Sequence, residues 1–177
     1  MAAHTLVVGG TKGIGRTIAR RLAGEGRTVS VIGRSKPDPT DDERAMPLTF
    51  WSADVADAAA LDRVLTDIVR HQGPLDGMVL LQRFRGQGDD WAGEIATSLT
   101  ATRYLLDWSA AHLEPGGSKA VVVISSIAAS YIASEQPVGY HMAKAAISQM
   151  VRYYAVTLGR RPRRIRIDLH SPTASDH

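Results

Sequence analysis

The sequence predicts an α/β fold built on a doubly wound parallel sheet, and two observations carry this prediction. Short apolar runs alternate along the chain with longer segments of helical periodicity, as repeated β-α-β units require. Residues 120–125 are apolar almost throughout, which is typical of a strand whose two faces are both covered. We therefore expect about six strands in a three-layer α/β/α sandwich, with residues 1–177 forming a single domain.

The elements follow one another in the order that such units need. The predicted strands cover residues 4–8, 28–32, 48–51, 75–81, 120–125 and 165–169. The predicted helices cover residues 14–24, 56–71, 91–113 and 138–159. An apolar stripe at helical spacing supports the helix at 56–71. A Pro-Gly-Gly sequence at 115–117 ends the predicted helix at 91–113. Residues 35–42 are rich in Pro and Asp, which indicates a surface loop.

Composition limits the classes to which the protein can belong. The chain has 177 residues, of which 44% are hydrophobic and 22% charged, as in ordinary globular domains. Because it contains no cysteine, disulfides and thiolate metal sites are excluded, and we expect no metal. No apolar run reaches the length of a membrane span, and the N-terminal residues lead directly into the first strand instead of forming a signal peptide. We therefore expect a cytoplasmic protein without a membrane partner.

The formal net charge is only +3, yet arginines cluster in two places. The clusters comprise Arg160, Arg161, Arg163, Arg164 and Arg166 near the C-terminus, and Arg83 and Arg85 after the fourth predicted strand. Basic clusters can neutralise nucleic-acid phosphates, but cations are also favoured as solvated residues at a helix C-terminus. No motif that reads RNA or DNA accompanies them, so we favour the second interpretation and expect no nucleic-acid partner.

A glycine-rich turn follows the first predicted strand and opens the first predicted helix. Its glycines allow a tight turn and a close approach of the backbone to a pyrophosphate, while the helix N-terminus offers unpaired N–H groups. The alternative is a structural turn that binds no ligand. Position, spacing and context agree, so we predict that this turn binds a dinucleotide. The residues predicted to do so are Gly9, Thr11, Lys12, Gly13, Ile14 and Gly15.

The end of the second predicted strand indicates which dinucleotide binds. An acidic residue there would bond a ribose 2′-hydroxyl, whereas basic residues accommodate a 2′-phosphate. The strand ends in Arg34 and Ser35 without a carboxylate, and Lys12 in the glycine turn adds a second cation. The sequence therefore predicts NADP(H) in preference to NAD(H), with two solvated surface cations as the alternative.

Tyr140 and Lys144 are the most informative pair in the chain. Spaced i, i+4 in the predicted helix at 138–159, they place their side chains on one face. A tyrosine hydroxyl is a poor general base at neutral pH, and an ammonium group beside a phenol favours its phenolate form. The pair alone is a weak signal, but its position downstream of the glycine turn and of Ser125-Ser126 makes it a candidate acid–base centre.

These residues together resemble the short-chain dehydrogenase/reductase family. The resemblance rests on motifs in the family's order and approximate spacing, and it extends from about residue 6 to residue 172. The motifs are the GxxxGxG turn of Gly9, Gly13 and Gly15, the pair Asp54-Val55, Ser126, and Tyr140 with Lys144. The resemblance implies a Rossmann-type sheet with its strands in the order 3-2-1-4-5-6.

The resemblance also implies an activity: reduction of a carbonyl group of a small molecule, or oxidation of the corresponding alcohol, by hydride transfer with NADP(H). Tyr140 would be the acid/base, and Lys144 would assist it and hold the nicotinamide ribose. Ser126 would bond the substrate oxygen, with Ser125 as a possible substitute. Asp54 would hold the adenine, and the backbone of Val55 would line the same pocket.

Three departures from the family pattern leave other functions open. Residues 79–86 replace the family's Asn-Asn-Ala-Gly segment, and Ser98 (or Thr97) stands where the family has a catalytic asparagine. The sequence ends at His177, with Pro172 lacking a following glycine and with no substrate lid or last strand. The alternatives to a reductase are therefore a non-catalytic binding or assembly protein and a non-redox acid–base enzyme. In the family the two long helices, here 91–113 and 138–159, pair with their copies from a second subunit, so the resemblance and the apolar content of these helices imply a homodimer or homotetramer.

Overall fold

The computed structural model describes residues 2–113, 119–159 and 166–170. The strands are β1 (His4–Val8), β2 (Thr28–Gly33), β3 (Leu48–Ser52), β4 (Gly77–Leu80), β5 (Ala120–Ile124) and β6 (Arg166–His170). They follow the order β3-β2-β1-β4-β5-β6 in one sheet. The described pairings are parallel, which confirms the predicted fold class and strand order.

The long helices agree with the predicted helices in number, but some of them begin or end at other residues than predicted. They are α1 (Gly13–Gly24), α2 (Asp41–Arg44), α3 (Ala58–Gln72), α4 (Asp90–Glu94), α5 (Ala101–His112) and α6 (Val138–Gly159). The chain forms two compact units, an N-terminal unit, Met1–Leu81, and a C-terminal unit, Gln82–His177. The expectation of one domain stays a prediction.

The N-terminal unit is centred on β1, all five residues of which are buried. The strand pairs in parallel with β2 on one side and β4 on the other. Helices α1 and α3 are amphipathic and bury small or aliphatic side chains, so each contributes one apolar face to the core. The buried stripe of α3 comprises Leu61, Val64, Leu65 and Ile68, four of the five residues that support this helix in the sequence.

Helix α2 is a short element that the sequence pattern does not reveal, because it lies inside the segment predicted as a loop. Thr40 and Glu43 form a capping box, in which each side chain accepts a hydrogen bond from the other residue's backbone N–H. The Glu43 carboxylate is buried and takes two hydrogen bonds from Arg16 of α1, at 2.8 and 2.6 Å. This ion pair fastens the segment after β2 to the helix that follows the glycine turn.

In the C-terminal unit, β5 and β6 pair in parallel from Ala120↔Arg166 to Ile124↔His170. Helix α6 has the predicted bounds. The single helix predicted at 91–113 is instead interrupted by six π-helical residues, Ile95–Thr100, between α4 and α5. Apolar periodicity did not reveal this change, because the α-helical segments on both sides of a π insertion each keep helical spacing.

Several features predicted from the sequence lie outside the described residues: the chain end with Pro172, the turn at 115–117, and four of the five C-terminal arginines (Arg160, Arg161, Arg163 and Arg164). Among the residues that the structure does describe, no helix combines the length and the apolarity needed to cross a membrane.

The Arg16–Glu43 pair predicts a pH-dependent contribution to stability. The hydrogen bonds from Arg16 hold the pKa of Glu43 at about 2, below its usual value of 4.5. Glu43→Gln should therefore lower the free energy of unfolding by about 2 kcal/mol at pH 7, less than for a fully buried pair because Arg16 stays partly solvated. Because the native pKa is depressed, this difference should be complete above pH 4.5 and shrink as the pH falls towards 2.

Urea denaturation of both proteins across this pH range measures the effect. The matched control is Glu25→Gln, which removes the exposed i, i+4 pair with Arg21 and should change stability by less than about 0.5 kcal/mol. Equal losses in the two variants would contradict the assigned burial of Glu43.

Candidate active site

The glycine turn joins β1 to α1 and adopts a conformation that depends on glycine. Gly9 and Gly13 have φ angles of 87° and 52°, in the region that residues with a Cβ rarely occupy. At Gly15 a Cβ would lie 2.4 Å from Leu81 Cδ1 and 2.6 Å from the Gly9 carbonyl oxygen. These positions explain why glycine is needed at three points of the turn without invoking a ligand.

A dinucleotide phosphate fits the same turn. A Cβ built on Gly13 meets no atom within 4 Å, so space is open beside the first residue of α1. The N-cap residue Lys12 makes no side-chain cap hydrogen bond, and the first turn of α1 contains no acidic residue. The first N–H groups of a helix have no intrahelical partners, so this helix end could take an anion. Lys12 and Ile14 are exposed at its rim.

The end of β2 lies against the glycine turn. A Cβ on Gly33 would come within 2.5 Å of the Thr11 side chain, so the turn and the strand end are in direct contact. The next two residues, Arg34 and Ser35, are exposed. The Arg34 carbonyl accepts a hydrogen bond of 2.8 Å from Ser52 Oγ at the end of β3, which fixes the backbone on which this arginine stands.

Asp54 and Val55 follow β3 and differ in environment. The Asp54 carboxylate is exposed and accepts a hydrogen bond of 3.0 Å from the Ala56 N–H, as in an Asx turn. Val55 is buried. Both residues belong to the segment after β3, in the N-terminal unit that also contains the glycine turn and the end of β2.

In the C-terminal unit, α6 brings Tyr140 and Lys144 together. The Lys144 ammonium nitrogen lies 5.6 Å from the centre of the Tyr140 ring. Lys144 is only 4% exposed, and its Nζ donates a hydrogen bond of 2.9 Å to the Ile124 carbonyl oxygen at the end of β5. Burial lowers the pKa of Lys144 to about 8, with Glu94 acting to raise it and Arg83 to lower it. The group is therefore close to its titration range at neutral pH.

The two serines after β5 have different surroundings. Ser125 is buried, with its hydroxyl 2.9 Å from that of Ser148 and 3.3 Å from the Lys144 carbonyl oxygen, to which it donates. Ser126 is half-buried and accepts a hydrogen bond of 3.2 Å from the Ala128 N–H at the start of a 3-10 turn, Ile127–Ala129. The local bond that serine often makes at a strand end is thus present at Ser126.

Arg83 is a site residue that the motifs do not identify. Its guanidinium lies over the Tyr140 ring, 4.3 Å from the ring centre and closer than Lys144. It donates a hydrogen bond of 3.0 Å to Gln136 Oε1 and lies 3.9 Å from Glu94 Oε1. The one sequence signal for Arg83 was the pair of arginines within residues 79–86, where the chain departs from the family segment. The contact of Arg83 with Tyr140 is visible only in the tertiary structure.

Ser98, predicted with Thr97 as the alternative to stand at the position of the family's asparagine, forms a buried polar pair with Glu94. Ser98 lies in the π-helical segment and donates its hydroxyl to the Glu94 carboxylate, which also accepts from the Phe84 N–H at 3.5 Å. The Ser98 carbonyl accepts from Thr102 Oγ1 at 2.5 Å. Ser98 and Glu94 are both buried, and the charge of the Glu94 carboxylate acts on Lys144.

The parallel sheet, the glycine turn at a helix N-terminus and the Tyr–Lys pair define the class of protein as a dinucleotide-binding α/β protein. The family model described as enoyl-(acyl carrier protein) reductase matches residues 8–176. The chain belongs to the short-chain dehydrogenase/reductase family, whose members are oxidoreductases that use NAD(P)(H).

Three relatives illustrate the similarity. The short-chain dehydrogenase/reductase of Serratia marcescens shares 27% identity at a TM-score of 0.81, covering 96% of this chain and 73% of that one. A 3-ketoacyl-ACP reductase of Sinorhizobium meliloti shares 28% identity at a TM-score of 0.82, covering 94% and 70%. The reductase MabA of Mycobacterium tuberculosis, a 3-oxoacyl-[acyl-carrier-protein] reductase, is 40% identical over 74 residues. That match covers 42% of this chain and 28% of the mycobacterial protein.

The charges around Lys144 predict shifts of opposite sign in two variants. In protein labelled with 13C-lysine, the Lys144 signal should titrate near pH 8. Glu94→Gln should lower the pKa of Lys144, because it removes the negative charge that opposes the effect of burial. Arg83→Met should raise it, because it removes a like charge.

NMR titration of the lysine Cε resonances measures both shifts without a substrate or a cofactor. Glu135→Gln, which removes an exposed carboxylate of the same unit, serves as the control and should leave the Lys144 titration unchanged. Shifts of the same sign in the two site variants would show that Lys144 does not respond to these charges.

Proposed function

We propose that the protein is an NADP(H)-dependent oxidoreductase that reduces the carbonyl group of a small molecule, or oxidises the corresponding alcohol. The observation that carries the proposal is the buried Lys144, held against the Tyr140 ring and anchored on the Ile124 carbonyl. Burying a lysine is unfavourable, so its position beside a tyrosine on the same helix face supports a chemical role.

Tyr140 acts as the acid in the reducing direction. Its hydroxyl gives a proton to the carbonyl oxygen while the carbonyl carbon receives a hydride, and in the oxidising direction the tyrosine takes the proton back. A bound NADPH supplies the hydride and leaves as NADP⁺. Lys144 places positive charge beside the tyrosine and holds the nicotinamide ribose, and its pKa of about 8 keeps it mostly protonated at neutral pH.

Ser126 is the better candidate for bonding the substrate oxygen. Ser125 is buried and its hydroxyl is engaged with Ser148 and with the Lys144 carbonyl. Ser126 accepts its hydrogen bond from Ala128, so its own hydroxyl hydrogen is left to donate. A donor aimed at the oxygen on which charge develops stabilises the transition state.

For the cofactor, we propose that the glycine turn binds the pyrophosphate and that Lys12, Arg34 and Ser35 bind a 2′-phosphate. Contact between Thr11 and Gly33 supports this, because it brings the turn beside the residue that precedes Arg34. Asp54 and the backbone of Val55 are proposed to line the adenine pocket. For assembly, the exposed apolar residues Tyr153 and Val156 of α6 support pairing with a second copy as a homodimer or homotetramer.

Replacing the tyrosine tests the proposed chemistry. Tyr140→Phe should lower kcat/KM for NADPH-dependent reduction of a responsive carbonyl compound by about 10²–10⁴-fold, because it removes the proton donor and leaves the ring in place. Turnover of a panel of aldehydes and ketones, followed by NADPH absorbance, measures it. The control is Tyr153→Phe, an exposed tyrosine of the same helix, which should retain activity.

Two results would contradict this proposal. NADPH binding without turnover of any panel member by the natural protein would favour a binding or assembly protein. Conversion of a substrate in the absence of cofactor, detected by product analysis, would favour non-redox acid–base chemistry.

Replacing Arg34 tests the choice of dinucleotide. Arg34→Ala should raise the Kd for NADPH by about 10-fold or more, as expected for losing a charge-assisted phosphate contact, and leave that for NADH within about 2-fold. Fluorescence titration with each dinucleotide gives the four constants. Arg21→Ala, at the opposite end of α1 and 83% exposed, should alter neither. Equal weakening of both dinucleotides would refute a contact with the 2′-phosphate.

A further inference from the structure

Arg83 marks a second recognition point beside the proposed acid–base centre. We propose that its guanidinium binds a carboxylate that the substrate carries within two or three bonds of the reacting carbonyl, so that the preferred substrates are oxo acids. The inference rests on the proposed function, because it takes the substrate oxygen to lie at the Tyr140 hydroxyl.

The first support is placement. The guanidinium carbon lies 4.3 Å from the centre of the Tyr140 ring, while the Lys144 nitrogen is 5.6 Å away. A carbonyl oxygen bonded to the tyrosine hydroxyl therefore brings the neighbouring atoms of a small substrate close to Arg83. The arginine side chain is 27% exposed, so part of it is open to a molecule from solvent.

The second support is unused hydrogen-bonding capacity. A guanidinium has five N–H donors in a planar fork, and Gln136 takes one of them at 3.0 Å. Glu94 Oε1, at 3.9 Å, is too distant for a hydrogen bond. Arg83 Nε is buried and has no hydrogen-bond partner within the described part of the chain. Buried donors are seldom left unpaired, and a two-oxygen acceptor would match this fork.

The third support is charge. Arg83 and Lys144 contribute two cations near Tyr140, and Glu94 contributes one carboxylate. The Glu94 carboxylate is already engaged by the Ser98 hydroxyl and the Phe84 N–H. Among these three groups the cations outnumber the carboxylates by one, so an anionic group of a substrate would be attracted to this place more strongly than a neutral one.

Pairs of substrates that differ only in charge provide the test. The probes are 2-oxohexanoate and 3-oxohexanoate, each compared with its methyl ester. For the natural protein, kcat/KM should favour at least one acid over its ester. In Arg83→Met this acid-to-ester ratio should fall by about 10- to 100-fold, the range expected when a hydrogen bond to a charged group is lost. Any loss of activity that both substrates share cancels in the ratio.

Two further variants separate recognition from support of the tyrosine. Arg83→Lys keeps the charge without the fork and should give a ratio between those of the natural protein and Arg83→Met. Arg85→Met removes the exposed arginine two residues later and should keep the natural ratio. If Arg83 only holds the Tyr140 ring, activity towards acid and ester will fall together and the ratio will not change, which overturns the proposal.

Equilibrium binding keeps this test independent of turnover. Calorimetric titration of the NADP⁺-loaded protein with the acid that turnover favours, or with both acids if neither is turned over, should show binding that weakens at least 10-fold in Arg83→Met. If the acids bind in this way but neither they nor the esters are turned over, the oxidoreductase proposal fails and the anion site stands. If carbonyl compounds are turned over but no acid is preferred, the anion site fails alone. Absence of both binding and turnover overturns both.

Discussion

The candidate active site depends on the burial of a charged lysine. Lys144 is almost fully enclosed, and a buried ammonium is stable only where acceptors and counter-charges surround it. Here the Ile124 carbonyl provides the acceptor and Glu94 the counter-charge, while Tyr140 lies on the same helix face. The end of β5, the last residue of α4 and the first turns of α6 therefore together form the surroundings of this lysine.

This constraint also explains the unusual structure around the asparagine position. Ser98 cannot supply an amide, yet its hydroxyl joins the Glu94 carboxylate in a buried pair. The interruption of the helix by π-type turns at residues 95–100 accompanies this pair, and such insertions are frequent at functional sites. The negative charge of this carboxylate balances one of the two nearby cations, Lys144 and Arg83. A neutral amide could not do so.

In the N-terminal unit, contacts at both ends hold the segment after β2, which begins with Arg34 and Ser35. Residues after β2 have no sheet partners, and a loop rich in proline and aspartate would place Arg34 and Ser35 poorly by itself. The buried Arg16–Glu43 pair and the Thr40 capping box fasten the far end of this segment. Contact between Gly33 and Thr11, together with the Ser52 hydrogen bond to the Arg34 carbonyl, fixes its near end.

Local chemistry made much of this protein predictable from its sequence. Strand β1 and helix α6 have the predicted bounds, because apolar periodicity and turn residues act over a few neighbours. The strand order is the one that the family resemblance implied. The i, i+4 spacing likewise predicted that Tyr140 and Lys144 share one helix face, and their side chains lie close together. Helix α2, the π segment and the buried Glu43 and Glu94 were not predictable, since burial of a carboxylate depends on partners distant in sequence. Arg83 shows the same limit: its residue type was visible, but only the tertiary structure decided that its charge lies on the face of Tyr140, because that contact joins residues 57 positions apart.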